Sequence, residues 1–213
     1  MRRLLLFALA LPLLGQTTDP AYAPIQDAPG LPRVLLLGDS ISIGYTIPVR
    51  KLLAGKANVH RPGSNCGSTS NGIHNIRAWL AGGEWSVIHV NFGLHDLKIM
   101  DDGKHQVALP EYERNLREIY GLLQATGARV IVATTTPVPD AKQNPMRYTA
   151  DVPKFNEVAV RLAKEFGFEV DDLYAVCLPR LAEIQRPANV HFTDKGYEVL
   201  AEQVVASIGA GQR

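Results

Sequence analysis

Residues 34–40 read Val-Leu-Leu-Leu-Gly-Asp-Ser, four apolar residues closed by a glycine and two polar residues. Two later runs, residues 87–92 (Val-Ile-His-Val-Asn-Phe) and 130–133 (Val-Ile-Val-Ala), end in the same way, at a glycine or a Thr-Pro segment. Short apolar runs without alternation are typical of parallel strands that are buried on both faces of a sheet. Two weaker candidates, residues 57–60 and 168–170, bring the predicted number of strands to five.

Helical patterns separate these runs. Apolar residues spaced three or four positions apart predict helices near residues 68–81, between Pro110 and Gly127, before Gly167 and after Thr193. Proline is favoured at a helix start, glycine just beyond a helix end, and threonine at an N-cap. Strands that alternate with helices predict an α/β protein with one sheet covered on both faces.

The composition excludes several classes of protein. The chain has 213 residues, and its 22 Lys and Arg against 21 Asp and Glu give a formal net charge of +1. Nucleic-acid binding draws on surplus, clustered positive charge, so we expect no nucleic-acid partner. A hydrophobic content of 46% argues against intrinsic disorder. The length suits a single domain with a sizeable core.

The N-terminus has the pattern of a secretory signal peptide. Two arginines at residues 2–3 precede an apolar run at residues 4–14, and residues 21–23 (Ala-Tyr-Ala) resemble a cleavage site, with residues 15–16 as an earlier alternative. A membrane anchor is the competing interpretation, although the run is short for a bilayer. We expect a secreted or periplasmic protein without stable membrane insertion after cleavage. The predicted organisation is a signal peptide (residues 1–23), a Pro-rich lead-in (24–32) and one domain (33–213).

Export would place the two cysteines, Cys66 and Cys177, in an oxidising compartment. A disulfide between them would close a long loop and constrain the unfolded chain. Sequence does not place their Cα atoms within bonding distance, so a disulfide and two free thiols both remain open. Neither cysteine has the sequence context of a nucleophile.

Polar residues lie at the strand ends, where α/β sheets bind their ligands. Ser40 follows the first strand at a turn into a helix, whose N-terminal amides stabilise developing negative charge. His95 and Asp96 follow the third strand, residues 63–69 form a segment of small residues, and His191 precedes the last helix. Taken alone, the Ser40 segment is better explained by a helix cap, and a lone histidine is more often structural than catalytic; the other segments also fit tight turns. Their occurrence in this order favours a catalytic site.

The ordered segments resemble those of the SGNH hydrolases, also called GDSL esterases, from about residue 33 to residue 208. Residues 38–40 (Gly-Asp-Ser) match the block that carries the nucleophile, and Gly67 matches the oxyanion-hole glycine. Residues 93–96 (Gly-Leu-His-Asp) occupy the position of the family's Gly-x-Asn-Asp motif. This variant of the motif resembles that of a subgroup of exported family members. Residues 188–191 (Ala-Asn-Val-His) stand for Asp-x-x-His. The resemblance implies a flavodoxin-like three-layer α/β/α sandwich with a parallel sheet of about five strands.

Two positions depart from the family pattern. His95 replaces the asparagine that donates to the oxyanion, and an imidazole N–H can also donate. Ala188 replaces the aspartate that orients the catalytic histidine, a carboxylate whose loss costs roughly four decades of rate in proteases with full triads. Asn189 or a backbone carbonyl could orient His191 instead. Asp194 is a weaker candidate because it is expected to begin the last helix.

The resemblance implies an esterase that transfers an acyl group to water through Ser40. His191 would act as general base and acid, and the Ser40 amide, the Gly67 amide and His95 would bind the oxyanion. The implied supporting residues are Asp39, Gly93, Asp96 and Asn189. No metal or other cofactor is expected, because none of the six histidines has zinc-ligand spacing. His89, in the middle of a strand, is interpreted as a core residue.

The substrate is expected to be a small-molecule or glycan ester. Loops at residues 98–105 and 137–148 should shape the pocket, and without an extended apolar lid they favour removal of acetyl groups from a carbohydrate. A non-catalytic glycan-binding module and an O-acyltransferase remain open as alternatives. A phosphate-binding flavodoxin-like protein fits the sheet pattern but lacks a Gly-rich cradle. The acyl group, the natural substrate and the oligomeric state are not set by the sequence.

Overall fold

The computed structural model of the chain describes residues 19–209, and its centre is a parallel sheet. The charged and apolar regions of the predicted signal peptide lie outside the described residues. The sheet order is β2-β1-β3-β4-β5, and every neighbouring pair is parallel. The order reverses between β1 and β3, which is where open α/β sheets form their ligand crevice. The strands are β1 (Arg33–Leu37), β2 (Asn58–His60), β3 (Val87–Val90), β4 (Arg129–Ala133) and β5 (Glu169–Asp171).

All five predicted strands are therefore confirmed, with ends that differ from the predicted ones by one residue in β1, β2, β4 and β5 and by two residues in β3. Strand β3 ends at Val90 rather than Phe92. The side-chain amide of Asn91 donates to the backbone carbonyl of Ala133 at 2.9 Å, across the ends of β3 and β4. Asn91 thus joins the ends of the two strands instead of extending one of them.

Helices cover both faces of the sheet. Helix α1 (Ser40–Leu52) packs on α7 (Asp194–Gly209), while α2 (Thr69–Leu80) packs on α3 (Leu109–Gln124), and α3 on α4 (Val152–Glu165). The result is the three-layer α/β/α sandwich that the family resemblance implies. The four predicted helices correspond to α2, α3, α4 and α7. Two short helices, α5 (Leu173–Cys177) and α6 (Leu181–Ile184), lie in a stretch without a long apolar stripe and are not predicted.

The apolar stripes face the core as their spacing predicts. In α3, Tyr112, Leu116, Ile119, Tyr120 and Leu123 are each at most 1% exposed. Burying a large apolar side chain contributes about 1.5–3 kcal/mol, so these side chains fix the helix on the sheet. The predicted cap of α7 is also present, because the Gly196 amide donates to Thr193 Oγ1 at 3.1 Å. This cap, at Thr193 two residues after His191, fixes the start of α7 at Asp194.

The segment before β1 packs on the domain. Residues Pro20–Tyr22 form a 3₁₀ turn that is capped by Asp19, and Ala21 is 1% exposed. The Tyr22 ring lies 5.3 Å from the guanidinium of Arg61, within the range of a cation–π interaction. The folded unit therefore includes residues 19–32 as well as the predicted domain.

Both cysteines are buried and free in the structure, so the possible disulfide between Cys66 and Cys177 is absent. Burial raises the pKa of each thiol to about 12, which leaves neither as a thiolate nucleophile at neutral pH. Within residues 19–209, no helix has the length and apolar character needed to cross a membrane.

Candidate active site

Ser40 is the first residue of α1 and directly follows the turn at the end of β1. The turn is fixed by Asp39, whose carboxylate accepts a hydrogen bond from the Ile41 amide at 2.9 Å. Burial raises the pKa of this carboxyl to about 6. The position places Ser40 at the positive end of the helix dipole, where negative charge is stabilised. Asp39 thus acts on the site by capping the helix that carries Ser40.

His191 faces Ser40 across the sheet edge. Its Nε2 atom lies 2.9 Å from Ser40 Oγ, and its Nδ1 atom lies 2.8 Å from Asn189 Oδ1. The same amide oxygen accepts from the His191 backbone N–H at 2.9 Å. An amide oxygen only accepts, so Nδ1 carries the proton and Nε2 presents its lone pair to the Ser40 hydroxyl. This arrangement can remove the hydroxyl proton.

Asn189 occupies the position that Ala188 leaves without a carboxylate. The Ala188 methyl group accepts no hydrogen bond, and its backbone has a φ of 50°, in the left-handed region that glycine favours. The backbone of Arg186 closes this loop by donating to the His191 carbonyl at 3.0 Å. Of the candidates for orienting His191, the structure places the Asn189 amide in contact, while Asp194 begins α7.

His95 reaches the same cavity from the loop after β3. Gly93 allows this turn, because its φ is 142° and an added Cβ would lie 2.2 Å from Thr135 Oγ1. The Lys98 ammonium lies 3.0 Å from His95 Nδ1 and only donates, so Nδ1 accepts and Nε2 carries the proton. Burial, assisted by the positive charge of Lys98, lowers the pKa of His95 to about 4. At neutral pH the ring is therefore uncharged, with one N–H to donate.

Asp96 connects two of the predicted segments. Its buried carboxylate accepts from the Thr69 amide at 2.9 Å and from the Thr69 hydroxyl at 2.5 Å. Burial raises its pKa to about 7. The contact holds the start of α2 against the loop that carries His95. Asp96 therefore positions the site without touching Ser40 or His191.

The Gly67 amide is engaged within its own loop. It donates to Asn65 Oδ1 at 2.8 Å, and the φ of Gly67 is 65°. The loop lies next to the Ser40 turn, since the Cys66 amide donates to the Gly38 carbonyl at 3.3 Å. Gly67 is not among the residues that line the cavity around Ser40. An oxyanion would have to displace the Asn65 side chain to receive this N–H.

Ser40, His95 and His191 line one cavity of about 230 Å³. The loop at residues 137–148 forms one wall of the cavity, as its position beyond β4 predicts. Of the loop at residues 98–105, Lys98 is the one residue that lines the cavity. Within residues 19–209, no group of three His, Cys, Asp or Glu side chains could hold a metal ion. His89, interpreted as a core residue, is fully buried and lies 2.9 Å from Asp171.

The model of the GDSL-like lipase/acylhydrolase family matches residues 36–199, a range that contains Ser40, Gly67, His95 and His191. The chain belongs to this family. The family assignment confirms the sequence resemblance and makes the chain a carboxylic ester hydrolase. A comparison of this acylhydrolase with curated proteins finds no match.

Several solved structures share the fold of this acylhydrolase. An acetyl xylan esterase superposes with a TM-score of 0.71 at 16% identity, covering 83% of this chain and 99% of the esterase. A lipase/acylhydrolase from Enterococcus faecalis gives 0.69 at 22% identity, covering 84% and 95%. An acetylxylan esterase from Geobacillus stearothermophilus gives 0.69 at 20% identity, covering 84% and 94%. At these identities the likeness shows a common fold.

Two cavity residues of the acylhydrolase are not predicted from the sequence. Arg147 is 5% exposed, and its Nε atom donates to the Leu94 carbonyl at 2.6 Å. Gln143 lies nearby in the same loop. Both lie in the loop that is predicted to shape the pocket, but no local pattern distinguishes either residue from the rest of that loop. Their position depends on how the loop folds over the sheet edge.

Proposed function

We propose that this acylhydrolase is an exported serine esterase that removes acyl groups, preferably acetyl, from the hydroxyl groups of a carbohydrate. The observation that carries the proposal is the hydrogen-bonded series Asn189 Oδ1, His191 and Ser40 Oγ, with distances of 2.8 and 2.9 Å. A nucleophile in contact with a base, which is itself oriented by a third group, is the arrangement that activates a serine hydroxyl.

In the first step, His191 Nε2 takes the proton of the Ser40 hydroxyl as Ser40 Oγ bonds to the ester carbonyl carbon. The resulting oxyanion lies near the Ser40 amide and the His95 Nε2–H, with the Gly67 amide as a third donor once Asn65 moves. The tetrahedral intermediate then loses the alcohol, which His191 protonates. Water repeats the sequence on the acyl-serine and releases the acid.

The neutral Asn189 side chain limits the rate of this reaction. It selects the correct tautomer of His191, but it brings no negative charge to stabilise the imidazolium that forms. Burial, together with the positive charges of Arg186 and Arg147, lowers the pKa of His191 and makes it a weaker base. Esters have better leaving groups than amides, so a weaker base suits ester hydrolysis.

Cavity size and loop length support a short acyl group. The cavity of about 230 Å³ is bordered by both polar and apolar side chains, and no long apolar segment is among the residues that line it. Two of the structures with the same fold are acetylxylan esterases, which supports an acetyl ester on a carbohydrate.

Export is proposed with a cleavage position that leaves the folded unit intact. Removal of residues up to Ala23 would take away Ala21, which is buried, and Tyr22, which contacts Arg61. Cleavage near residues 15–16 would retain both. We therefore favour the earlier of the two positions for the mature N-terminus.

The proposal is tested by p-nitrophenyl acetate hydrolysis with protein that lacks residues 1–15. Ser40→Ala should abolish turnover. Ser42→Ala is the matched control, because Ser42 lies on the same helix but contacts Arg61 rather than His191. Equal turnover by Ser40→Ala and the parent protein would refute the serine mechanism. If the acetyl group is transferred to an added sugar faster than to water, the protein is an O-acyltransferase rather than a hydrolase.

A further inference from the structure

Two cations line the cavity beside Ser40, and no acidic side chain among the lining residues faces them. Lys98 is partly buried and Arg147 is 5% exposed. Within the described residues neither forms a salt bridge. Buried arginines are rare unless their charge is paired or their donors are used. The buried Asp39 carboxyl favours both positive charges without forming a salt bridge to either, so the cavity holds two cations that no described anionic group contacts.

The guanidinium of Arg147 has a free donor. Its Nε atom donates to the Leu94 carbonyl at 2.6 Å and its Nη1 atom to the Pro145 carbonyl at 3.2 Å, while Nη2 has no partner within residues 19–209. Arg61, also largely buried, uses all three of its nitrogen atoms in hydrogen bonds to the surrounding protein. Arg147 is thus held rigidly with one edge available to a ligand.

The Lys98 ammonium also retains free donors. One N–H contacts His95 Nδ1 at 3.0 Å, which leaves two of its three protons without a described partner. Burial and the positive charge of Arg147 lower the pKa of Lys98, while the buried carboxyls of Asp39 and Asp96 offset part of this effect. Holding two like charges at one cavity raises the free energy of the empty site, and an anion between them would relieve this cost.

Gln143 adds an acceptor to the same cavity. Its Nε2 atom donates to the carbonyls of Pro139 and Ala141 at 2.8 and 3.3 Å, which fixes the orientation of the amide. Its Oε1 atom is buried and has no hydrogen-bond partner. An unpartnered buried carbonyl is costly, so a small shift of this side chain that opens Oε1 to the cavity would let a ligand hydroxyl or N–H become its partner.

We propose that the natural substrate is an acyl ester of an acidic sugar, whose carboxylate binds Lys98 Nζ and Arg147 Nη2 while Gln143 Oε1 accepts from a sugar hydroxyl. The inference deepens the proposed function and rests on it. A phosphate group offers the same charge and acceptor oxygens, so the two anions are separated by experiment. The guanidinium edge and the ammonium match the oxygens of either group.

The test compares matched acetyl esters. Methyl O-acetyl-glucuronoside and methyl O-acetyl-glucoside differ only in a carboxylate or a hydroxymethyl group, and a 6-phosphate derivative supplies the second anion. We expect kcat/KM for the glucuronoside to exceed that for the glucoside by about tenfold at low salt, and the ratio to fall as sodium chloride screens the charges. A higher value for the phosphate derivative would assign the site to phosphorylated sugars.

Two variants locate the effect. Arg147→Gln and Lys98→Gln should each lower the ratio of anionic to neutral kcat/KM by about threefold or more. Lys98→Gln also disturbs His95 and lowers both rates, so the ratio is the readout. Lys142→Gln is the matched control, since Lys142 is exposed in the same loop but does not line the cavity, and it should leave the ratio unchanged.

Failure of the inference is distinguishable from failure of the esterase proposal. Ser40-dependent hydrolysis of the glucoside and the charged sugars at equal rates would overturn the anionic substrate alone. If no ester is hydrolysed, calorimetric binding of methyl glucuronoside, methyl glucoside and the 6-phosphate to Ser40→Ala protein decides the inference. Tighter binding of a charged sugar supports it, and equal binding or no binding overturns it.

Discussion

Replacing Asn189 with alanine removes the single side chain that orients His191. The change deletes the acceptor of two hydrogen bonds, one from the ring Nδ1–H at 2.8 Å and one from the backbone N–H at 2.9 Å. The ring is then free to place its proton on Nε2, which faces Ser40 Oγ. In that tautomer His191 cannot accept the Ser40 proton.

The size of the effect follows from the hydrogen bond that strengthens during the reaction. As His191 becomes an imidazolium, the bond from Nδ1 to Asn189 becomes charge-assisted, and such bonds contribute about 1.5–3 kcal/mol. Loss of this stabilisation in the transition state lowers kcat by roughly 10- to 150-fold. KM should change little, because the Asn189 amide oxygen faces His191.

The assay is steady-state hydrolysis of p-nitrophenyl acetate across the pH range, with two further variants as controls. Asn189→Asp retains an oxygen that can accept both hydrogen bonds and adds negative charge, so it should match or exceed the parent rate and raise the pKa of His191. Ala188→Asp restores the family residue where Asn189 already occupies the acceptor position. It should therefore increase kcat less than Asn189→Asp does.

A kcat for Asn189→Ala within twofold of the parent value would refute this reasoning, provided that Ser40→Ala is inactive in the same assay. That result would mean that a backbone carbonyl or a water molecule orients His191. Circular dichroism of each variant controls for loss of the fold.

Three further predictions concern the oxyanion, the pH dependence and the N-terminal segment. Removing the His95 donor by His95→Ala should lower kcat by about 10²–10³, and His95→Asn should recover part of the loss; equal rates for all three proteins would exclude an oxyanion role. The kcat/KM of the parent should rise with pH through the pKa of His191, which must be neutral to act as a base. Because burial and Arg186 lower that pKa, the midpoint should lie below the ordinary histidine value of about 6.5, and a midpoint above it would contradict the assignment. Protein that begins at residue 24 should be less stable than protein that begins at residue 16 by about 1–2 kcal/mol, because it loses buried Ala21 and the Tyr22–Arg61 contact. Urea unfolding measures the difference in the free energy of unfolding. Equal stability of the two proteins would favour cleavage after Ala23.

The sequence predicts the sheet well because each strand is a continuous apolar run. A run such as Val34-Leu35-Leu36-Leu37 has no polar face, so burial on both sides is the favourable solution, and the structure places it inside the sheet, between β2 and β3. The stripe of α3 is equally informative, since each of its five apolar residues is buried. These patterns depend on residues that are close in sequence, so they can be identified without knowing the tertiary contacts.

The N-terminal segment shows where a local signal is ambiguous. Ala21-Tyr22-Ala23 has the small residues of a cleavage site, but the same residues suit a tight 3₁₀ turn with Ala21 buried against the domain. Composition alone does not separate these outcomes. The contact of Tyr22 with Arg61, which lies far along the chain, decides the packing.

The sequence indicates several residues that the structure brings to one cavity, but it does not indicate their contacts. Ser40 and His191 are identified by family blocks, whereas the contact between His191 and Asn189 depends on the backbone of a loop with a left-handed residue at Ala188. The hydrogen bond from the Gly67 amide to Asn65 also depends on loop geometry. Arg147 enters the cavity through tertiary packing, so no sequence pattern indicates it.

Covalent trapping tests the central claim most directly. The protein is incubated with a fluorophosphonate, which reacts with activated serine hydroxyls and stays bound, and the modified residue is located by tandem mass spectrometry. We predict one adduct, on Ser40, that forms much more slowly in His191→Ala and at the parent rate in Ser42→Ala. An adduct on another residue, no adduct, or a rate that does not depend on His191 would contradict the account.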